Sequence, residues 1–146
     1  MLQDTIATET KYNLFVEKTA ASKLVWVLKN KEGWANSHSN DDEKVDVIPF
    51  WSDKADAKAC ARNEWKGYLP VMIPLPMFLE TWCLGMAENG TLAGINWDVN
   101  MFGKEANVLH VALDVLERLN TINSNIKFLN YESIDDFIAE IKSTTE

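Results

Sequence analysis

Histidine and cysteine are scarce in this chain, with two of each among 146 residues. A zinc site needs three or four converging His, Cys or carboxylate ligands. His38, His110, Cys60 and Cys83 show no paired spacing, so no metal and no cofactor is expected. Two cysteines are also too few for a disulfide-stapled secreted scaffold, which favours a reducing cytoplasm. The opening Met1-Leu2-Gln3-Asp4-Thr5-Ile6 does not read as a basic segment followed by the apolar core of a secretory signal. Glycine is thinly spread, at 33, 67, 85, 90, 94 and 103, so no phosphate-cradling loop and no Gly-x-Ser-x-Gly elbow exists. Basic residues number 14 against 22 acidic ones, a net charge of −8, and they never form a run. Nucleic acid and anionic membrane surfaces, which need clustered Lys and Arg, are therefore unexpected partners. No apolar stretch approaches the length that spans a bilayer.

What is abundant is tryptophan: six indoles, each with an N–H that needs a partner once buried. Two of them stand in the blocks Pro49-Phe50-Trp51-Ser52-Asp53 and Ile95-Asn96-Trp97-Asp98, each a polar turn at the end of an apolar run. Strand ends of this kind are where mixed folds assemble binding sites. The chain length suits a single domain with a sizeable core.

The pattern predicts a globular domain over 10–146 after a loose leader at 1–9. A helix from Thr10 carries Tyr12, Phe15, Val16 and Ala20 on one face. Leu24–Leu28, apolar on both sides, predicts a central strand. A weaker strand around Trp34–Ser39 and another over Lys44–Phe50 flank the polar turn Asn40–Glu43. A helix capped by Ser52 or Asp53 is followed by an extended Tyr68–Ile73, then a helix with Pro76 at its first position and a stop at Asn89-Gly90. Thr91–Trp97 predicts a strand, Ala106–Leu119 the clearest helix, Lys127–Tyr131 an extended piece, and Ser133 the cap of a C-terminal helix. The class is α+β or mixed α/β: a single-layer mixed sheet of four or five strands with helices packed on it, plus the C-terminal helix.

The candidate site residues have bland readings beside functional ones. Ser52 and Asp53 suit a helix N-terminus, which outweighs a nucleophilic role for Ser52 in the absence of a nearby base. His110 reads as the shoulder of a core helix. Glu64 adjoins the core residue Trp65. Asn96 has low strand propensity and needs its amide satisfied if buried, while Asp98 suits the following loop.

Taken in order, Val25-Trp26-Val27-Leu28, Gly33-Trp34-Ala35, Pro49-Phe50-Trp51-Ser52-Asp53, Glu64-Trp65, Ile73-Pro74-Leu75, Phe78-Leu79-Glu80-Thr81-Trp82, Gly85-Met86 and Asn96-Trp97-Asp98 resemble the bacterial family of domain of unknown function 2750. The resemblance spans about 12–119 and leaves 120–146 as a C-terminal extension. It implies a small bacterial cytoplasmic domain and brings no activity, cofactor or catalytic residue. The order of elements is also similar, in topology alone, to the enhanced serine-sensitivity protein family.

The expected function is a non-enzymatic protein-interaction or binding module, in which Trp51, Ser52, Asp53, Glu64, Asn96, Trp97 and Asp98 form an outward aromatic and polar patch. A homodimer is one arrangement such a patch allows. The alternatives are a small-molecule-binding domain with Trp51, Trp97 and Asn96 lining a pocket, and an enzyme using Asp53, Glu64 or Asp98 as acid or base.

Overall fold

A computed structural model describes residues 2–145. Helix α1 (Leu2–Ser22) leads into β1 (Leu24–Asn30), two short strands β2 (Gly33–Trp34) and β3 (Ser37–His38), and β4 (Asp46–Phe50). Then come α2 (Lys54–Ala59), a 3-10 turn (Asn63–Trp65) and β5 (Leu69–Pro74). A composite helix follows, made of α3 (Leu75–Met77), a π-helical segment (Phe78–Cys83) and α4 (Leu84–Asn89). The chain closes with β6 (Leu92–Ile95), β7 (Lys104–Ala106), α5 (Val108–Thr121) and α6 (Ile134–Thr145). The expected α+β class with a C-terminal helix holds. The helix expected from Thr10 starts at Leu2 instead, so residues 2–9 are its first turns. Lys104 pairs with Glu9 there at 2.6 Å.

The strands divide into β2-β1-β5 and β3-β4-β6-β7. Trp26 and Trp51 exchange two backbone hydrogen bonds, 2.8 and 2.9 Å, and so join β1 to the end of β4. Across this bridge the five longer strands run β5-β1-β4-β6-β7, antiparallel except for the parallel pair β4–β6. Strand alternation then gives each face its own core. Val25, Val27, Phe50, Ala93 and Ile95 face α1, α5 and the composite helix. Leu28, Val47, Trp51 and Trp97 face α2 and the 3-10 turn, with Ala57, Cys60 and Trp65. This two-sided burial is what the uninterrupted apolar run at Leu24–Leu28 predicts.

Proline and helix caps fix the boundaries. The Trp26 backbone is turned toward Trp51, so its partner Met72 in β5 turns its own N–H and C=O to the free edge, and Pro70 and Pro74, two residues either side, turn their backbone the same way with no N–H to offer. Two of these three edge positions therefore lack a donor, which blunts the edge against strand addition. Asp53 caps α2 by accepting the Ala55 N–H at 3.0 Å, and Ser133 accepts the Asp136 N–H at 3.0 Å ahead of α6. The helix expected from Pro76 is interrupted by the π-helical turn. That turn brings Phe78, Leu79, Glu80 and Cys83 inward together. The buried Glu80 carboxylate accepts the N–H groups of Leu129 and Asn130 at 3.0 and 2.7 Å, pinning the segment expected to be an extended piece at Lys127–Tyr131.

Candidate functional site

The ends of β4 and β6 lie side by side, so the two tryptophan blocks meet, as their sequences suggested. They meet inside the protein. Trp51 is fully buried and Trp97 is 4% exposed, so the expected outward aromatic patch is not formed. The physical reason is that both indoles sit on the sheet face covered by α2, and both N–H groups are used internally. Trp51 Nε1 donates to the Trp97 carbonyl at 3.0 Å, and Trp97 Nε1 donates to the Lys104 carbonyl at 3.1 Å.

Asn96 is the hub of the junction. Its backbone takes the left-handed conformation, φ 48°, which asparagine tolerates better than most residues and which ends β6 one residue earlier. Its N–H donates to the Phe50 carbonyl at 2.9 Å. Its side-chain Oδ1 accepts the Ser52 N–H at 3.0 Å, and its Nδ2 donates to Ser52 Oγ at 3.1 Å and to the Lys11 carbonyl at 3.2 Å. One buried amide therefore ties β4, β6 and α1 together, with its hydrogen-bonding groups satisfied. Ser52 is occupied in this network and faces no imidazole.

Glycine makes room for Trp97. A Cβ at Gly94 would come within 2.5 Å of the indole, and one at Gly103 within 2.4 Å. The indole is thus clamped between two backbone segments that carry no side chain. Asp98 shapes the loop between them: its Oδ1 accepts the N–H groups of Asn100 and Phe102 at 2.8 and 3.1 Å.

Beside this junction is a cavity of about 290 Å³ between α1, α2 and the loop after β6. Leu14, Ala59, Trp97 and Val99 give its apolar walls, and Lys11, Asp56 and Asp98 bring charge to it. Cys60 also lines it, donating its thiol toward the Trp97 and Asp98 carbonyls at 3.5 and 3.4 Å. Burial pushes this thiol's pKa up, and the nearby Asp98 carboxylate adds to the effect. The sulfur is therefore a protonated donor and a poor nucleophile. Of the residues expected at a site, Asn96, Trp97 and Asp98 line this cavity; Trp51 and Ser52 lie behind it in the junction.

Asp53 and Glu64 stand apart. Asp53 caps α2 and pairs with Lys18 at 3.3 Å; the Ala55 N–H, then Lys18, hold its carboxyl below the usual range. Glu64 is exposed on the 3-10 turn. Lys11, Leu14, Asp56 and Cys60 were not singled out as site residues. Only the topology reveals them, because α1 and α2 are both far in sequence from the loop after β6 that they flank.

A wider depression of about 480 Å³ lies between α1, β7 and α5. Its central groups already satisfy one another: Tyr12 donates to Asp114, and Lys104 sits over the Tyr12 ring at 4.4 Å while bonded to Glu9. Burial, then the Asp114 contact, push the Tyr12 phenol well above its ordinary value. Among the described residues no group of three or more His, Cys, Asp or Glu is arranged to hold a metal ion, and no helix is long and apolar enough to cross a membrane.

No curated protein and no solved structure matches this chain. Residues 12–115 match the family model described as "Protein of unknown function (DUF2750)". The matched stretch contains the sheet, the Trp51–Asn96 junction and the residues lining the cavity except Lys11, which stands just before it, and it leaves out α6. The chain belongs to the DUF2750 family.

Proposed function

We propose that this protein is a non-enzymatic binding domain whose ligand is a small molecule held in the cavity beside Asn96, Trp97 and Asp98. The single observation that carries this reading is the cavity itself. It is concave, mostly apolar, close to the smaller ligand sites in volume, and lined by a few charged groups and a thiol donor. Its walls are rigid in origin: Asn96 fixes α1 against the strand ends, and Trp97 is clamped by Gly94 and Gly103. Preformed walls reduce the ordering cost of binding.

Binding fits these groups better than turnover. The Cys60 thiol is held protonated, the Asn96 amide is fully engaged, and one oxygen of Asp98 serves the loop. The inward indoles also remove the hot-spot argument for a protein partner at this place.

Thermal-shift screening against a metabolite library tests the reading, run in parallel on wild type and Ala59→Trp, which fills the cavity from the exposed side of α2. Compounds that raise the wild-type Tm and leave the variant's unchanged support it. A library with no compound distinguishing the two proteins contradicts it.

A further inference from the structure

Charges of both signs converge on the same small cavity. Lys11 comes from α1, Asp56 from α2 and Asp98 from the loop after β6, around apolar walls from Leu14, Ala59, Trp97 and Val99. Resting on the ligand-binding reading above, we infer that the ligand is a small zwitterion: an ammonium and a carboxylate a few bonds apart, carrying a compact apolar group.

Three features support this class over a neutral or singly charged one. First, among the described residues the Lys11 ammonium and the Asp56 carboxylate make no ion pair and no hydrogen bond, although each lines the cavity. They are opposite charges presented to one space without neutralising each other. Second, Asp98 uses Oδ1 for the Asn100 and Phe102 N–H groups, leaving Oδ2 to accept from a ligand ammonium. Third, all three charges act on one buried atom: Asp98 and Asp56 raise the pKa of the Cys60 thiol and Lys11 lowers it. All three are therefore within electrostatic reach of the Cys60 sulfur, which lines the same cavity. The ligand's carboxylate faces Lys11 and its ammonium faces Asp98 and Asp56. Its apolar group lies against Leu14 and Val99, both partly open to solvent, at 42% and 40%.

The backbone holding these groups is fixed independently of their charges. Asn96 bonds the Lys11 carbonyl, so replacing the Lys11 side chain leaves α1 anchored. Asp98→Asn keeps an oxygen for the loop N–H groups. Both substitutions therefore change charge with little change of shape.

The test is calorimetric titration of the full chain with L-leucine, isoamylamine (leucine without its carboxylate) and isocaproate (leucine without its amine). The inference expects leucine to bind, and each analogue to bind at least about tenfold more weakly, a difference of about 1.4 kcal/mol. Lys11→Met then abolishes the preference for leucine over isoamylamine, and Asp98→Asn reduces the preference over isocaproate. Either analogue matching leucine in wild type overturns the inference, as does an undiminished preference in Lys11→Met. If leucine fails to bind while library compounds blocked by Ala59→Trp do bind, the zwitterion is wrong and the ligand site stands. If no compound is blocked by Ala59→Trp, the ligand site itself is wrong.

Discussion

At the scale of single residues, Asn96 and Trp97 decide the local structure. Asn96 combines a left-handed backbone with a buried amide, and these two contributions can be separated by substitution. Asn96→Gly keeps the backbone conformation and loses the amide, leaving the Ser52 N–H without its acceptor. We expect a loss of about 2–3 kcal/mol in urea unfolding. Asn96→Ala loses the amide and also strains the backbone, adding about 1 kcal/mol. Equal stability of the two variants would show that the φ of 48° contributes nothing. The contact between Gly94 and Trp97 makes a second prediction. Gly94→Ala should cost about 1–3 kcal/mol through overpacking, and Trp97→Leu should recover part of that loss when combined with it. Strict additivity in the double-mutant cycle would contradict the clamp.

At the scale of elements, the π-helical segment links the family-matched core to the C-terminal part of the chain. Glu80 accepts two N–H groups from Leu129 and Asn130, beyond the matched residues 12–115. Glu80→Ala should therefore cost about 2–3 kcal/mol, and Glu80→Gln less because the amide retains one acceptor. Hydrogen exchange checks the mechanism: the Leu129 and Asn130 amides should lose protection before those of α5. Uniform loss of protection would mean that Glu80 supports the whole core rather than this connection.

Much of this level was legible in the chain. The run at Leu24–Leu28, the Asp53 and Ser133 caps, the Asn89-Gly90 stop and the α5 stripe all report local periodicity or capping. The π-helical turn was not legible, because Phe78, Leu79, Trp82 and Met86 also satisfy an ordinary helical stripe. Local pattern also placed the strand ends near each other correctly. The outward direction expected for Trp51 and Trp97 is wrong, since a strand-end side chain is buried or exposed according to which helix covers it. The helix that does so, α2, lies between them in sequence, and α1 supplies Lys11 from still farther away.

At the scale of the whole molecule, titration links the buried groups to stability. Cys83 is completely buried, and burial alone pushes its thiol well above the ordinary 9.0. Burial and Asp114 raise Tyr12 from 10.0 in the same direction. In both cases the folded state keeps a proton that the unfolded chain releases. The contribution is thus complete below the unfolded pKa and falls away as pH rises past it. Stability should decline from about pH 9 upward, and Cys83→Ala should make that decline shallower. An unchanged slope in the variant would contradict the assignment to Cys83. Asp53 acts at the other end of the range. Its folded pKa is depressed, so its cap is fully effective above the unfolded value of 3.8 and weakens as pH falls through the lower folded value.

The central claim is that the buried junction of the two tryptophan blocks frames a cavity that holds a small ligand. The most direct measurement is a nitrogen–proton correlation spectrum of the full chain, titrated with a compound that raises its Tm. Saturable shifts concentrated at the amides of Lys11, Asp56, Cys60 and Asp98, and at the Trp97 indole N–H, are the expected result. Shifts that gather elsewhere on the molecule and leave these resonances in place would contradict the account.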